Sequence, residues 1–215
     1  MGQPAAASIR SAAVTELAPS SVPSLETPRL RLRDWQEGDV EAYARILADR
    51  EAMRYLGFGL AAATRHAAAA LVPPVARAQA RHAVARYRGH WLAYRFGQWA
   101  IEEKQSGELI GRIGFFKHSD WTAEPTNDEV GWLLARSRWG QGFATEAGEA
   151  SLGFAFEQLG LPRVVSITQP DNVRSVRVME RLGLSPVGRA WWRGGEVVWY
   201  AIDRDAWRSR GKPAP

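Results

Sequence analysis

Short apolar or alternating runs and longer runs with helical spacing divide the chain into strands and helices. Runs of the first kind predict strands at 25–33, 99–103, 109–116, 129–134, 163–168, 184–188 and 197–202. Helical spacing predicts helices that start at Asp39, run in two pieces within 61–89 around Pro73-Pro74, start at Ala144 and span 171–183. The pattern predicts one α/β (α+β) domain.

The stretch from Glu129 to Ala147 joins a strand to a helix through a turn that contains glycines. Its strand residues alternate between two faces: Val130, Trp132 and Leu134 on one, and Glu129, Gly131 and Leu133 on the other. Gly140 and Gly142 lie at the junction, where the absence of side chains lets a ligand approach the backbone. The helix that follows offers unpaired amides at its positive end. Such a turn suits a phosphate or pyrophosphate.

Two familiar phosphate-binding loops do not match this turn. A P-loop ends in Gly-Lys-Ser/Thr, and a dinucleotide loop has a third glycine where this chain has Thr145. The run Trp139-Gly-Gln-Gly-Phe-Ala-Thr-Glu-Ala147 instead resembles the cofactor loop of the Gcn5-related N-acetyltransferases (GNAT superfamily), Arg/Gln-x-x-Gly-x-Gly/Ala. Gly142 and Ala144 match that pattern, and Trp139 departs from it. The departure is typical of the branch that includes the Rim-type ribosomal-protein N-acetyltransferases.

Further phrases extend the resemblance beyond a Gly-x-Gly pair, which in most proteins is an ordinary turn. They are Thr27-Pro-Arg-Leu-Arg-Leu-Arg33, Met53-Arg-Tyr-Leu-Gly57, the hairpin from Trp99 to Phe116, and Tyr200-Ala-Ile-Asp-Arg-Asp-Ala-Trp207. The resemblance covers Leu25 to Trp207. It implies a GNAT fold, with a mixed, mostly antiparallel sheet of about six or seven strands flanked by about four helices.

The resemblance also implies acetyl-CoA as co-substrate and no metal. The residues that it assigns to the cofactor are Trp132, Leu133, Leu134, Trp139, Gly140, Gln141, Gly142, Phe143, Ala144, Thr145 and Asn172. Backbone amides of 132–134 would polarise the thioester carbonyl, and the 129–134 and 163–168 strands would splay to admit the pantetheine arm. Asn172 is compatible with a second reading, a simple helix cap.

Two residues are candidates for the chemistry. Most relatives place a proton-donating Tyr seven residues after the Asn, where this chain has Met179. The Asn-x-x-Ser phrase of the Rim-type branch offers Ser175 as a hydrogen-bond donor to the departing sulfur; the alternative is an ordinary helix-surface serine. Glu129 is the candidate base for the amine proton, and the alternative is a surface charge at a strand edge.

Composition limits the class of protein to which the chain can belong. The 215 residues are 46% hydrophobic, which allows one sizeable core, and no window of about 20 apolar residues predicts a membrane span. The absence of cysteine fits a cytoplasmic protein. Residues 1–24 resemble a disordered leader, and 208–215 a flexible tail. The four histidines lack metal-ligand spacing.

The net charge of +5 and the pI near 10.0 favour anionic partners. The arginines at 77–88 form either a nucleic-acid face or a solvated helix, and we favour the solvated helix because no aromatic platform accompanies them.

The function that these patterns favour is acetyl transfer from acetyl-CoA to a primary amine by a monomer or homodimer. A protein N-terminus is the first candidate acceptor, and a small amine such as a polyamine, amino sugar or amino acid is the second. A catalytically silent acyl-CoA or nucleic-acid binding module is the alternative from another class. Tyr55 either faces the acceptor or packs, and Trp121, Trp191 and Trp192 are candidates to gate the site.

Overall fold

An eight-stranded sheet forms the centre of the protein. The computed structural model describes residues 22–56 and 73–210. The strands are β1 (Leu25–Glu26), β2 (Leu30–Arg33), β3 (Gln98–Glu103), β4 (Leu109–Lys117), β5 (Asp128–Leu134), β6 (Arg163–Thr168), β7 (Ser185–Trp192) and β8 (Gly195–Asp203). Their order across the sheet is β1-β2-β3-β4-β5-β6-β8-β7. The mixed, mostly antiparallel α/β architecture is confirmed, because only β5 and β6 pair in parallel.

Five α-helices accompany the sheet in the described part of the chain. They are α1 (Asp39–Ala48), α2 (Pro73–Tyr94), α3 (Phe143–Gly153), α4 (Val173–Arg181) and α5 (Arg204–Ser209). Both element counts are slightly higher than predicted. The 25–33 segment is two strands because it turns at Thr27, whose Oγ1 accepts a hydrogen bond from the Leu30 amide at 2.9 Å. The additional helix, α5, follows the last strand directly.

Alternation along β5 places its side chains on two faces, as the sequence predicts, and the two faces contribute to different core clusters. Val130 and Leu134 belong to a large cluster that includes Phe143 and Leu152 of α3. Leu133 belongs to a second cluster formed with α1 and α2. Since β5 carries apolar side chains on both faces, it is a central strand of the sheet that is buried on both sides.

The parallel pair β5 and β6 separates along its length. The strands share one registered position, Glu129 with Val165, and Ser166 Oγ donates to the Val130 carbonyl at 2.9 Å. Beyond that point the two strands no longer form a ladder, and the backbone of 132–134 lines a cleft. The predicted splay between these strands is therefore confirmed.

Several local predictions need correction. The sequence favours Asp39 as a helix cap, but Asp39 is the first residue of α1, and its carboxylate accepts hydrogen bonds from Arg33 and from the Gln36 amide. Helical spacing in α4 predicts an apolar stripe of Val173, Val176, Met179 and Leu182. This is wrong at Val173, which is 52% exposed, and Val178 is buried instead.

The closing hairpin and the helix α2 also differ from the predicted bounds. Strand β7 continues to Trp192 and turns through Arg193-Gly194, both with positive φ, as a two-residue hairpin requires. Helix α2 starts at Pro73, so Pro74 is its second residue, and the first predicted helical piece of 61–89 lies largely outside the described residues.

A hydrogen bond and an ion pair hold the two ends of the described chain against the domain. The carbonyl of Pro23 accepts a hydrogen bond from Trp99 Nε1 at 2.7 Å, so ordered contacts begin slightly before Leu25. At the other end, Arg210 pairs with Glu149 of α3 at 2.6 Å. Most of the predicted leader and tail lies outside the described residues.

Candidate active site

A cleft of about 1200 Å³ opens where β5 and β6 separate. Its lining has two parts of different chemistry. The loop half includes Trp132, Leu133, Leu134, Trp139, Gly140, Gly142, Phe143, Ala144, Thr145, Asn172, Ser175 and Met179, with Arg138, Arg174, Arg177 and Arg181 also in the lining. The charged half includes Tyr55, Arg86, Arg112, Phe116, His118, Glu129, Trp192 and Arg193. The cleft thus contains every residue predicted for the site except Gln141.

The backbone at the start of α3 gives the loop half its character. Gly140 and Gly142 have φ values of 73° and 81°, in the left-handed region that glycine adopts without strain. Gly142 is the N-cap of α3 and supplies no side chain to the free amides of the first turn. The first four amides of a helix have no intrahelical acceptor. Phe143, Ala144 and Thr145 carry such amides at the cleft, so this end suits an anion such as a diphosphate.

Gln141 supports the turn from outside the cleft. Its backbone carbonyl accepts a hydrogen bond from Arg29 Nη1 at 2.9 Å, and its side-chain amide donates to the Ser137 carbonyl at 2.9 Å. Arg29 also donates to Glu146 of α3 at 2.6 Å. Arg29 therefore connects the turn to the first turn of α3, a role that the sequence reasoning missed.

Trp139 closes one side of the loop half. Its Nε1 donates to the Leu134 carbonyl at 3.0 Å, which fixes the indole against the end of β5. The guanidinium of Arg174 lies 4.8 Å from the centre of the Trp139 ring, within cation–π distance. The tryptophan that departs from the general cofactor-loop pattern is thus held by both β5 and α4.

Asn172 is the N-cap of α4, which establishes the second of its two predicted readings. Its Oδ1 accepts from the Ser175 amide at 3.3 Å, and its Nδ2 donates to Thr168 Oγ1 at 2.8 Å and to Ser175 Oγ at 3.0 Å. Both amide hydrogens are used, so the free capacity is the second lone pair of Oδ1. A ligand would therefore meet Asn172 as an acceptor, as an N–H of a pantetheine arm requires.

The same contacts define what Ser175 can do. Because Ser175 Oγ accepts from Asn172, its own hydroxyl hydrogen is available to a group in the cleft. Met179, one turn further along α4, is 1% exposed and its thioether has no proton to donate. Ser175 is consequently the hydroxyl donor that α4 presents to the loop half.

Glu129 lies in the charged half and is not an open surface charge. Its side chain is 14% exposed, its Oε2 is 2.6 Å from His118 Nε2, and its Oε1 accepts from the Ile167 amide at 3.3 Å. His118 Nδ1 lies 3.4 Å from Arg193, which pairs with Asp120. The carboxylate is thus held in one orientation by contacts from both β6 and the end of β4.

Sequence reasoning missed His118 as the partner of Glu129, because it considered the histidines only as metal ligands. The signal that could have found it is the β4–β5 register. Lys117 pairs with Asp128, which places His118 beyond the end of the pair and next to Glu129. Among residues 22–56 and 73–210, no cluster suits a metal ion and no helix is long and apolar enough to traverse a bilayer.

The aromatic candidates occupy different places. Trp192 lines the cleft, with its ring centre 5.3 Å from that of buried Trp121, whereas Trp191 is 77% exposed and lies outside the lining. Tyr55 lines the charged half, and its hydroxyl donates to the Asp171 carbonyl at 3.2 Å. Of the three tryptophans, only Trp192 is placed to contact a bound molecule directly.

The arginines of α2 do not share one function. Arg77 pairs with Glu41 of α1, and Arg88 donates to the Trp35 carbonyl. Arg86 faces the cleft instead, over the Phe116 ring. The basic residues of α2 therefore make separate contacts and do not form a continuous basic face.

Comparison with known proteins identifies relatives over most of the chain. A family model described as the acetyltransferase (GNAT) domain matches residues 29–185. The uncharacterized N-acetyltransferase YnaD of Bacillus subtilis is 27% identical over 192 residues, which are 85% of this chain and 98% of YnaD.

Solved structures share the fold. An acetyltransferase from Agrobacterium tumefaciens is similar with a TM-score of 0.67 and 29% identity, covering 87% of this chain and 98% of that one. RimJ of Mycobacterium smegmatis, solved in complex with CoA-disulfide, has a TM-score of 0.68 at 20% identity, covering 88% and 91%. The likeness to RimJ is one of fold.

Proposed function

The chain belongs to the GNAT family of acetyltransferases, and we propose on that premise that it transfers the acetyl group of acetyl-CoA to a primary amine. The observation that carries the proposal is the cleft itself. Where β5 and β6 separate, it connects a glycine turn with free helix amides to a buried, oriented carboxylate. A diphosphate suits the first end, and proton transfer suits the second.

In this proposal the loop half holds acetyl-CoA. Amides of the 139–145 segment bind the diphosphate, and Asn172 accepts from an N–H of the pantetheine arm through its remaining lone pair. The β5 backbone at 132–134 pairs with β4 but has no β6 partner, so the amides that point toward β6 are available to polarise the thioester carbonyl. RimJ, whose structure contains CoA-disulfide, shares this fold.

Glu129 is the proposed base. The neutral amine attacks the thioester carbon, a C–N bond forms, the C–S bond breaks, and the amine proton passes to the Glu129 carboxylate directly or through water. His118 is a positioning residue, because it contacts Oε2 and leaves the carboxylate one orientation toward the cleft. The sulfur leaves with negative charge that the Ser175 hydroxyl stabilises by a hydrogen bond.

The acceptor is a primary amine, and a protein N-terminus is the first candidate class. The sequence phrases shared with the Rim-type branch support that class. A small amine is the second candidate class. A silent acyl-CoA binder is disfavoured by the orientation of Glu129 and by the free hydroxyl hydrogen of Ser175, both of which a binder does not need.

The test is thiol release from acetyl-CoA in the presence of peptide and small-molecule amines, with calorimetry of CoA binding. We expect saturable CoA binding and amine-dependent thiol release. Because one preorganised donor to developing charge contributes about 10²- to 10³-fold, Ser175→Ala should lower kcat by that amount, whereas Ser185→Ala on exposed β7 should not. Binding of CoA with no thiol release for any amine would reject the proposed enzyme and favour the silent acyl-CoA binder.

A further inference from the structure

Two arginines in the charged half have no carboxylate partner. Arg112 of β4 is 8% exposed; its Nη1 donates to Gln98 Oε1 at 2.6 Å, and its Nε has no hydrogen-bond partner within the described residues. Arg86 of α2 is exposed to the cleft. Within 22–56 and 73–210, neither guanidinium has a carboxylate at ion-pair distance. Both arginines line the same cleft without a direct ion pair, and the carboxylate that acts electrostatically on Arg112 is that of Glu129.

The other cations nearby are neutralised. Lys117 pairs with Asp128 at 2.7 Å, and Arg193 pairs with Asp120 at 2.7 Å. A charge held away from water without a partner is costly, so proteins ordinarily pair it. The unpaired state of Arg112 therefore distinguishes it from its neighbours and points to a ligand.

The two guanidinium groups converge on one ring. Arg86 lies 5.1 Å and Arg112 lies 5.8 Å from the centre of the Phe116 ring. They are also 5.7 Å and 5.8 Å from the ring of Tyr87. Both positive charges therefore lie around the same aromatic pair, and an anion within reach of both would be attracted by each of them.

This pair lies beside the proposed base. Phe116 is the registered partner of Glu129, and Arg112 that of Leu133, so all of them project from one face of the sheet. The Cβ atoms of directly opposite residues lie about 5 Å apart. The ring that both arginines contact is thus the immediate neighbour of Glu129.

We propose that Arg86 and Arg112 form a subsite for a carboxylate on the acceptor. Guanidinium groups match carboxylates with two parallel hydrogen bonds, and a partly buried site strengthens that recognition. The inference rests on the proposed function and narrows it: the acceptor carries an anionic carboxylate in addition to its amine. That carboxylate belongs to a free amino acid or related aminocarboxylate, or to an acidic side chain next to a peptide N-terminus.

The experiment compares acceptors that differ only in that charge. Acetylation is measured for aminocarboxylates from glycine to 4-aminobutyrate against their amides, and for peptides with Asp or Asn after an N-terminal Ala. We expect kcat/KM for at least one carboxylate to exceed that of its neutral match by about 10- to 100-fold, as hydrogen bonds to charged groups typically contribute. Which arm shows the preference identifies the source of the carboxylate.

Variants test whether the arginines cause the preference. Arg86→Gln should remove most of it by raising KM for the carboxylate while leaving the amide and acetyl-CoA unaffected. Arg81→Gln, on the same helix but outside the cleft lining, should preserve it. Arg112→Lys keeps the charge and loses the paired hydrogen bonds, so it should reduce the preference while retaining the fold.

Failure of this subsite is distinguishable from failure of the enzyme. Equal rates for carboxylates and amides would overturn the subsite while acetyl transfer stood. If no amine in the panel were acetylated, 4-aminobutyrate and its amide would be titrated into the CoA complex by calorimetry. Equal binding of both, or a preference that survives in Arg86→Gln, would overturn the proposal, and selective binding of the carboxylate would support it without turnover.

Discussion

The two halves of the cleft are built in different ways. The loop half depends on backbone conformation over one short segment, with two left-handed glycines and the free amides of α3. The charged half brings together side chains from α2, β4, β5 and the β7–β8 turn. A backbone site tolerates many side chains and binds the same group in every relative, whereas a side-chain site changes with single substitutions. The difference suggests a constant cofactor and a specific acceptor.

The largest effect should come from removing the base in the charged half. Glu129→Gln retains the size and the contact to the Ile167 amide but cannot accept the amine proton. General base catalysis typically contributes about 10²–10⁴-fold, so kcat should fall by that range. The measurement is steady-state thiol release. The control is Glu157→Gln, a change at an exposed residue that follows α3. CoA affinity should be unchanged, and a variant with full kcat would remove Glu129 from the mechanism.

A smaller effect, on CoA affinity rather than on kcat, should follow a change in the loop half. Gly142 has φ of 81°, and an added Cβ would lie 3.4 Å from Arg29 Nη2, so Gly142→Ala should shift the turn. A left-handed non-glycine residue costs about 1–2 kcal/mol, which corresponds to CoA affinity about tenfold weaker by calorimetry.

Gly38→Ala is the matched control for that substitution. Gly38 has φ of −61° and nothing within 4 Å of an added Cβ, so the alanine fits without strain. If Gly142→Ala bound CoA as the native chain does, the turn would not be the diphosphate site. If Gly142→Ala lost acceptor selectivity instead of CoA affinity, the assignment of CoA to the loop half and of the acceptor to the charged half would be wrong.

The smallest effect concerns the anchoring of α2, which carries Arg86. His90 Nδ1 is 2.7 Å from the Phe96 carbonyl, and Nε2 accepts from the Lys117 amide at 3.0 Å, so the ring is neutral with its proton on Nδ1. Burial lowers the pKa of His90 below its ordinary value, although the Phe96 carbonyl opposes the shift. The unfolded chain therefore takes up a proton before the folded chain does.

Stability should consequently decrease as the pH falls through the ordinary histidine pKa of about 6.5. The measurement is urea unfolding of the native chain and of His90→Asn, which can still donate to the Phe96 carbonyl but does not titrate. The loss between about pH 7.5 and about pH 5.5 should be smaller in the variant. Identical losses would mean that His90 does not link α2 to the pH dependence.

Much of the fold followed from sequence because its signals are local. The strand, turn and helix of 129–147 are encoded by alternation, glycine and helical spacing within a few residues. Strand β6 and the β3–β4 hairpin were predicted for the same reason. Val173 and Val178 show the limit of such reasoning: both are apolar and lie on one short helix, and only packing against α3 and the sheet decides which one is buried.

The sequence by itself determined the glycine turn before α3, the start of α4 at Asn172 and the choice of Glu129 and Ser175 as candidates, because each belongs to a short phrase with its own geometry. The tertiary structure alone decided that His118 meets Glu129 and that Arg86 and Arg112 meet at Phe116. Those contacts join residues on different strands and helices, and their distances depend on strand register and helix docking. No local pattern records such quantities, since they arise only when the sheet forms and α2 packs upon it.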